Sequence, residues 1–249
     1  MKGFILQLVV VAGIVCTSSR ALAQGGPPLI TNDPDTPGDG NWEINLAAAG
    51  AHADSGWDLA APDLDINYGW GDRIQLSLHV PWNHQRMGGQ SWRSGAGPVE
   101  LAVRWRFLDE EKSGLSMAIQ PHWETSWSNG AVRRGLSPAN DDFALPLQVA
   151  RHFGDAIAGL EVVRHFVEHE GDAWQAGMFW SRDCPKGIQC LAEINTDWPA
   201  DSPAESILNI GARKNVSEHL VLLGSIGRQV SGTSERSQFL FYFGVQLLR

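Results

Sequence analysis

The sequence predicts an all-β fold, an antiparallel up-and-down transmembrane β-barrel of about twelve strands, and three observations predict it. Segments of about ten residues alternate apolar with non-apolar side chains. Short turns and longer polar loops take turns between those segments. Tryptophans, 11 in all, gather near segment ends, where a membrane interface would meet them.

The alternation is plainest in four places. Ile74, Leu76, Leu78 and Val80 are interleaved with Arg73, Gln75, Ser77 and His79. Val99, Leu101, Val103, Trp105 and Phe107 are interleaved with Glu100, Ala102, Arg104 and Arg106. Leu115, Met117, Ile119 and Trp123 follow the same rule, and so do Phe239, Phe241, Phe243, Val245 and Leu247. Successive side chains on a strand point to opposite faces, so each segment has one apolar face and one mixed or polar face. The twelve segments are 41–50, 58–68, 73–81, 98–108, 115–124, 142–153, 156–166, 173–182, 190–198, 205–214, 219–228 and 237–248. Pro62 breaks the second, and Arg164 lies on the apolar side of the seventh. Pro121 and Pro146 each remove a ladder donor, so a bulge or local break is expected at each.

The connections after the even-numbered segments are short and carry Gly, Asp, Asn and Ser, as tight turns require. Those after the odd-numbered segments are on average longer and polar, above all 82–97 and 125–141. An even strand count places both chain ends on the short-turn side.

Alternation alone does not say which face meets oil. In a soluble barrel the apolar face packs inward; in a membrane barrel lipid takes it. Three features favour the membrane. The strands are twice the usual soluble length of about 5–6 residues. Trp42, Trp57, Trp70, Trp82, Trp105, Trp123 and Trp198 lie near segment ends. The opposite faces carry charge beside small residues, which suits a partly wet interior. A soluble periplasmic barrel is the competing reading of the same pattern.

Residues 1–23 read as a secretory signal peptide: Lys2, an apolar run from Gly3 to Val15, then Ala21-Leu22-Ala23 with cleavage before Gln24. Residues 24–40 form a Pro/Gly-rich lead-in expected at the barrel mouth or along its rim, and 41–249 form the outer-membrane barrel. Export allows Cys184 and Cys190 to bridge across a tight hairpin; two free buried thiols are the alternative. With 28 Asp and Glu against 19 Lys and Arg, the chain is too acidic for a nucleic-acid partner.

The segment from Gly26 to Ile44, with Pro28-Leu29-Ile30-Thr31-Asn32-Asp33 and Gly40-Asn41-Trp42-Glu43, resembles the start of a bacterial family of outer-membrane transporters of the phenol-degradation meta-pathway type. In that family a Pro-Leu-x-Thr-Asp-Asp run precedes Gly-x-Trp-Glu; here Asn32 stands where Asp is usual. Leu64-Asp65-Ile66-Asn67-Tyr68-Gly69, Gln75-Leu76-Ser77-Leu78 and Asn209-Ile210-Gly211-Ala212-Arg213 continue the likeness. The resemblance implies an antiparallel outer-membrane barrel that moves small apolar or aromatic solutes.

Chemistry is sparse. Asp33, Asp35 and Asp39 suggest a calcium loop, but its twelfth position would be Ile44 and not Glu. There is no Gly-x-Ser-x-Gly elbow, and no Ser stands at a convincing spacing from His52, His79, His122, His152 or His165. The sequence implies no catalytic residue, cofactor or metal site. The residues expected to line the lumen are Asp63, Asp65, Arg73, Gln75, Glu100, Arg104, Arg106, His122, Glu124 and Arg213. If the second and fourth segments meet across the lumen or flank the third, their opposite charges pair, either as a filter or as a plug. The expected function is an outer-membrane channel or transporter for small solutes, with outer-membrane lipid as its surroundings. A non-conducting structural or surface-binding barrel is the alternative, and a lipid-modifying enzyme a lesser one.

Overall fold

A computed structural model describes residues 26–169, 171–200, 202–232 and 238–249. The expected signal peptide lies outside the described residues. The strands are β1 (Trp42–Ala53), β2 (Gly56–Trp70), β3 (Ile74–Met87), β4 (Arg93–Ala96), β5 (Val99–Leu108), β6 (Ser116–Ile119), β7 (His122–Thr125), β8 (Asp142–Phe153), β9 (Ala156–Val167), β10 (Ala173–Cys184), β11 (Ile188–Trp198), β12 (Glu205–Ser217), β13 (Leu220–Ser231) and β14 (Phe239–Leu248). Each pairs antiparallel with its neighbours. β1 closes onto β14, and β3 passes directly to β5, so the sheet returns on itself as a barrel. β6 and β7 form one interrupted crossing and β4 is a short strand outside the ring, which leaves twelve crossings.

The greasy face looks outward. Leu46, Leu101, Val103, Ile210 and Phe243 are all exposed, while Asn45, Gln148, Glu161 and Asn209 on the opposite parity are buried. That is the inverse of a soluble protein and the pattern that lipid requires. Trp42, Trp70, Trp105 and Trp180 belong to the short-turn end of the wall, and Trp82, Trp123, Trp174 and Trp198 to the long-loop end. No helix of the described residues is long and apolar enough to cross a membrane; the helices among them are the four-residue α1 (Glu110–Ser113) and α2 (Asn129–Val132).

The prolines behave differently from one another. Pro121 splits its crossing into β6 and β7 without shifting register, since Ile119 still faces Leu147 and His122 faces Ala144. Pro146 lies in the uninterrupted β8, against the expectation of a break. The reason is pairing: Pro146 sits opposite Gln120, in the gap that Pro121 makes. The Pro146 carbonyl still accepts the Gln120 N–H at 3.1 Å, and the Pro121 carbonyl accepts that of Val103 at 3.1 Å. Each proline therefore loses one bond of its pair and keeps the other. Pro62 does not end β2 either; a register shift between Ala60 and Asp63 absorbs it.

The segment 82–97, expected as a loop, is largely sheet. β3 continues to Met87, and β4 pairs back on it from Trp82↔Ala96 to Gln85↔Arg93. Asn83, His84, Gln85 and Arg86 are polar on both faces, so alternation could not reveal a strand that leaves the hydrocarbon for the headgroup level. The loop 126–141 folds against it: Asn83 Nδ2 donates to the Leu136 carbonyl at 2.8 Å, Arg134 to that of Ser94 at 3.0 Å, and Trp127 Nε1 to that of Gly97 at 3.0 Å. Cys184 and Cys190 are joined across the β10–β11 hairpin.

Candidate functional site

The lead-in runs inside the barrel, bonded to wall residues well within the strands and not confined to the mouth or rim. From Gly26, its first described residue, beside β12 and β13, it crosses the lumen to β5 and leaves by the short-turn end to become β1. Glycine and proline leave its backbone groups free of a helix or sheet, and the wall supplies their partners. Arg213 donates to the Pro27 carbonyl at 2.7 Å and Ser225 Oγ to that of Pro28 at 2.6 Å. Glu193 accepts the Ile30 and Thr31 N–H groups, one on each oxygen, both at 2.8 Å. Glu161 accepts the Asn32 N–H at 2.9 Å. Leu29 packs with Ala150, Ile157, Phe179 and Leu191 in an apolar cluster on the inner wall.

Further along, the lead-in acids meet wall arginines. Asp33 lies 3.9 Å from Arg104, and Asp35 pairs with Arg106 at 3.0 Å. Arg104 also donates to the Asp35 carbonyl at 2.6 Å and to Gln120 Oε1 at 2.9 and 2.7 Å. At the exit, Thr36 Oγ1 donates to the Asp72 carbonyl, and Asp39 accepts the Gly71 N–H. The Asp33–Asp35–Asp39 pattern that failed as a calcium loop is thus a set of counter-charges and caps.

The ten expected lumen residues divide into three groups. Arg104, Arg106 and Arg213 hold the lead-in. Asp63, Asp65, Gln75, Glu100, His122 and Glu124 face the lumen of the β2–β3–β5–β7 wall, around cavities of about 210 and 240 Å³. Arg73 stands apart: it is half-exposed at the short turn and paired with Asp109. Arg104 and Arg106 do not pair with Asp63 and Asp65, because register sets them at different levels of the same wall: Arg104 faces Gln75, which faces Gly69, whereas Asp65 faces His79, which faces Glu100. Asp63 pairs instead with His79 at 2.6 Å, and Asp65 accepts from Asn45 and Asn67, each at 2.9 Å.

Register gathers the remaining carboxylates into one line. Asp65 faces His79, His79 faces Glu100, Glu100 faces Glu124, and Glu124 faces Asp142. His122 stands 3.9 Å from Glu100, and His165 is 2.7 Å from Asp142. Glu124 has no ion pair among the described residues. Like charges directly opposite on a sheet destabilise it, so this row is an electrostatic cost that the fold carries. No three or more His, Cys, Asp or Glu side chains of the described residues are arranged to hold a metal ion.

On the other side of the lead-in, between β13, β14, β1 and β2, lies a larger cavity of about 470 Å³. Leu29, Ile30, Ala49, Ala51, Ala60 and Leu240 line it, with Asp58, Asn83, Asn209, Ser225 and Tyr242 as polar groups. Asn209 is 2% exposed; its Nδ2 donates to Glu193 at 2.8 Å, and its Oδ1 has no partner among the described residues. Sequence reasoning missed Glu161, Glu193, Gln148, Asn209 and Ser225. Their signal was present, since each lies on the polar parity of its segment, but without the buried lead-in nothing gave these five a role.

The fold is a closed antiparallel β-barrel of twelve crossings with an occupied lumen, the architecture of outer-membrane barrels. Among solved structures, the COG4313 outer membrane channel from Pseudomonas putida F1 superposes with a TM-score of 0.73 at 13% identity, over 88% of this chain and 98% of that one. The KdgM porin follows the same path with a TM-score of 0.60 at 12% identity, over 82% and 98%. The NanC porin does so with a TM-score of 0.56 at 8% identity, over 82% and 98%. At these identities the likeness establishes the fold. No protein-family model and no curated protein matches the chain.

Proposed function

We propose that the protein is an outer-membrane channel for small neutral, apolar or aromatic solutes, with the lead-in as a movable internal plug. The observation that carries this reading is the apolar-lined 470 Å³ cavity directly against the plug. A cavity of this size with few polar groups is the usual form of a small-molecule site. The likeness of the lead-in to the phenol-degradation type of transporter supports the same solute class, and the fold shared with solved channels and porins supports a channel.

Charge supports the exclusion of anions. The lumen arginines Arg104, Arg106 and Arg213 are committed to the plug, and the row of Asp65, Glu100, Glu124 and Asp142 faces the remaining space. One of the solved structures is the KdgM porin in complex with disordered oligogalacturonate, an anionic sugar polymer; the lumen charges here oppose such a ligand. Liposome swelling tests the reading with neutral phenols and matched aromatic carboxylates. Faster entry of the neutral compounds supports it; faster entry of the carboxylates, or no entry of either, overturns it and favours a non-conducting barrel.

A further inference from the structure

The outer wall carries a charge pattern that channel function does not explain. Among the described strand residues that face outward, every charged side chain is basic, although acids outnumber bases in the chain by 28 to 19. Arg151, Arg182 and Lys214 belong to the short-turn end, and Arg86, Arg164 and Arg228 to the long-loop end. Each Asp or Glu within a strand lies on the lumen parity.

The long-loop arginines are not alike. Arg164 is already neutralised by Asp172, with its guanidinium 4.7 Å over Trp174 and 5.6 Å over Phe166. Arg86 and Arg228 have no ion pair or hydrogen bond among the described residues; Arg86 lies 5.1 Å over the Trp92 ring. Register places these two at the ends of one row. Arg86 faces Trp57, Trp57 faces His52, His52 faces Phe239, and Phe239 faces Arg228. The His52 and Trp57 rings are 4.5 Å apart. Two residues deeper toward the lipid, the same strands present His84, Leu59, Gly50, Phe241 and Ile226, with His84 bonded to Ser94 Oγ at 2.7 Å and to the Ala61 carbonyl at 2.8 Å. At Gly50 a β-carbon would stand 2.5 Å from Leu59 Cδ2 and 2.7 Å from Phe241 Cε1, so those two side chains close over the glycine as a continuous apolar floor.

We propose that this arc, from Arg86 to Arg228, seats the phosphorylated headgroup of an outer-leaflet glycolipid. The two guanidiniums take phosphate oxygens, the aromatic row lies at the headgroup level, and the acyl chains run down over Leu59, Phe241 and Ile226. Arginine forms paired, charge-assisted bonds to phosphate, and aromatic rings favour the interface. The arc spans four strand spacings, about 19 Å at the usual ~4.8 Å per strand, so it fits a bulky headgroup and not a single ion. The proposal rests on the orientation of the barrel in the membrane and not on what passes through it.

The test is binding of lipid A to the full-length protein in detergent, followed by native mass spectrometry and thermal unfolding. Inorganic phosphate and dephosphorylated lipid A are the parallel probes. Lipid A is expected to bind and raise the unfolding midpoint, and both parallel probes are expected to fail. The double variant Arg86→Gln, Arg228→Gln should bind lipid A at least about tenfold more weakly, while Arg164→Gln should bind as the parent does. Heat-dependent gel mobility establishes that each variant is folded. Equal binding by the double variant, equal binding of the dephosphorylated lipid, or Arg86- and Arg228-dependent binding of inorganic phosphate without lipid A would each overturn the assignment.

Discussion

Thr31 lies against bare backbone at Gly177: a β-carbon built there would stand 2.0 Å from the Thr31 hydroxyl oxygen and 2.7 Å from Asn195 Nδ2. The barrel wall is stripped of a side chain where the lead-in presses on it. Gly177 has no left-handed backbone to explain its identity; contact with the lead-in does. A larger residue can only be accommodated if the lead-in moves. Gly177→Leu should therefore displace the plug while the barrel stays folded, read as higher conductance in planar bilayers and faster proteolysis near residues 26–36. A variant with parental conductance and parental resistance to protease would contradict the placement.

Glu193 gathers three donors: the N–H groups of Ile30 and Thr31 and the Nδ2 of Asn209. Removing a buried acceptor leaves its donors unsatisfied, at about 1–3 kcal/mol for each group. Glu193→Ala should lower the thermal unfolding midpoint and loosen the lead-in together. Ser225→Ala removes only the bond to the Pro28 carbonyl at 2.6 Å and should cost less. Calorimetry that ranked the two in the opposite order would count against this account of the anchor.

Glu124 faces Glu100 on one side and Asp142 on the other. Glu124→Gln keeps the shape and removes two like-charge oppositions. It should stabilise the barrel by roughly 0.2–1 kcal/mol per opposed pair relieved. A lower unfolding midpoint for this variant would mean that Glu124 serves an attractive contact.

Outside the membrane, the α1 turn is tied to β8 by Glu110, which accepts the His152 N–H at 2.9 Å and pairs with His152 Nδ1 at 2.6 Å. Burial acts to raise the Glu110 carboxyl, but the bonds from His152 outweigh it and hold it below its usual value of 4.5. A carboxylate lowered in the folded state stabilises above its unfolded value and loses that contribution as pH falls through the folded one. The tie should be complete near neutral pH and lost on acidification below 4.5. The ¹⁵N shift of the His152 amide should report this, with an acid midpoint below 4.5; a midpoint above 4.5 would contradict the geometry.

How much of this was legible in the sequence depends on which face a residue serves. Strands such as β5 and β14 declared themselves because lipid demands apolar side chains on one parity and the damp lumen tolerates charge on the other. Where that contrast ends, legibility ends: beyond Trp82, β3 is wet on both sides and reads as loop. The lumen candidates Arg104, Arg106 and Arg213 were readable as inward charges, but their partners were not, since Asp33, Asp35 and the carbonyls of Gly26 and Pro27 sit far away in a segment with no periodicity of its own. Arg73 was misplaced because parity is lost within a turn.

The central claim is that the lead-in occupies the lumen and governs passage. Thr31→Cys combined with Gly177→Cys tests it most directly, because a β-carbon at position 177 would lie 3.0 Å from that of Thr31, and a shift of the lead-in by about 0.5 Å reaches the lower end of the roughly 3.5–4.5 Å that a disulfide requires. Planar-bilayer conductance should be low when the pair is oxidised and rise on reduction, while the parent protein, with its Cys184–Cys190 bridge alone among the described residues, should not respond. Equal conductance in the oxidised and reduced states of the cross-linked variant would contradict the claim.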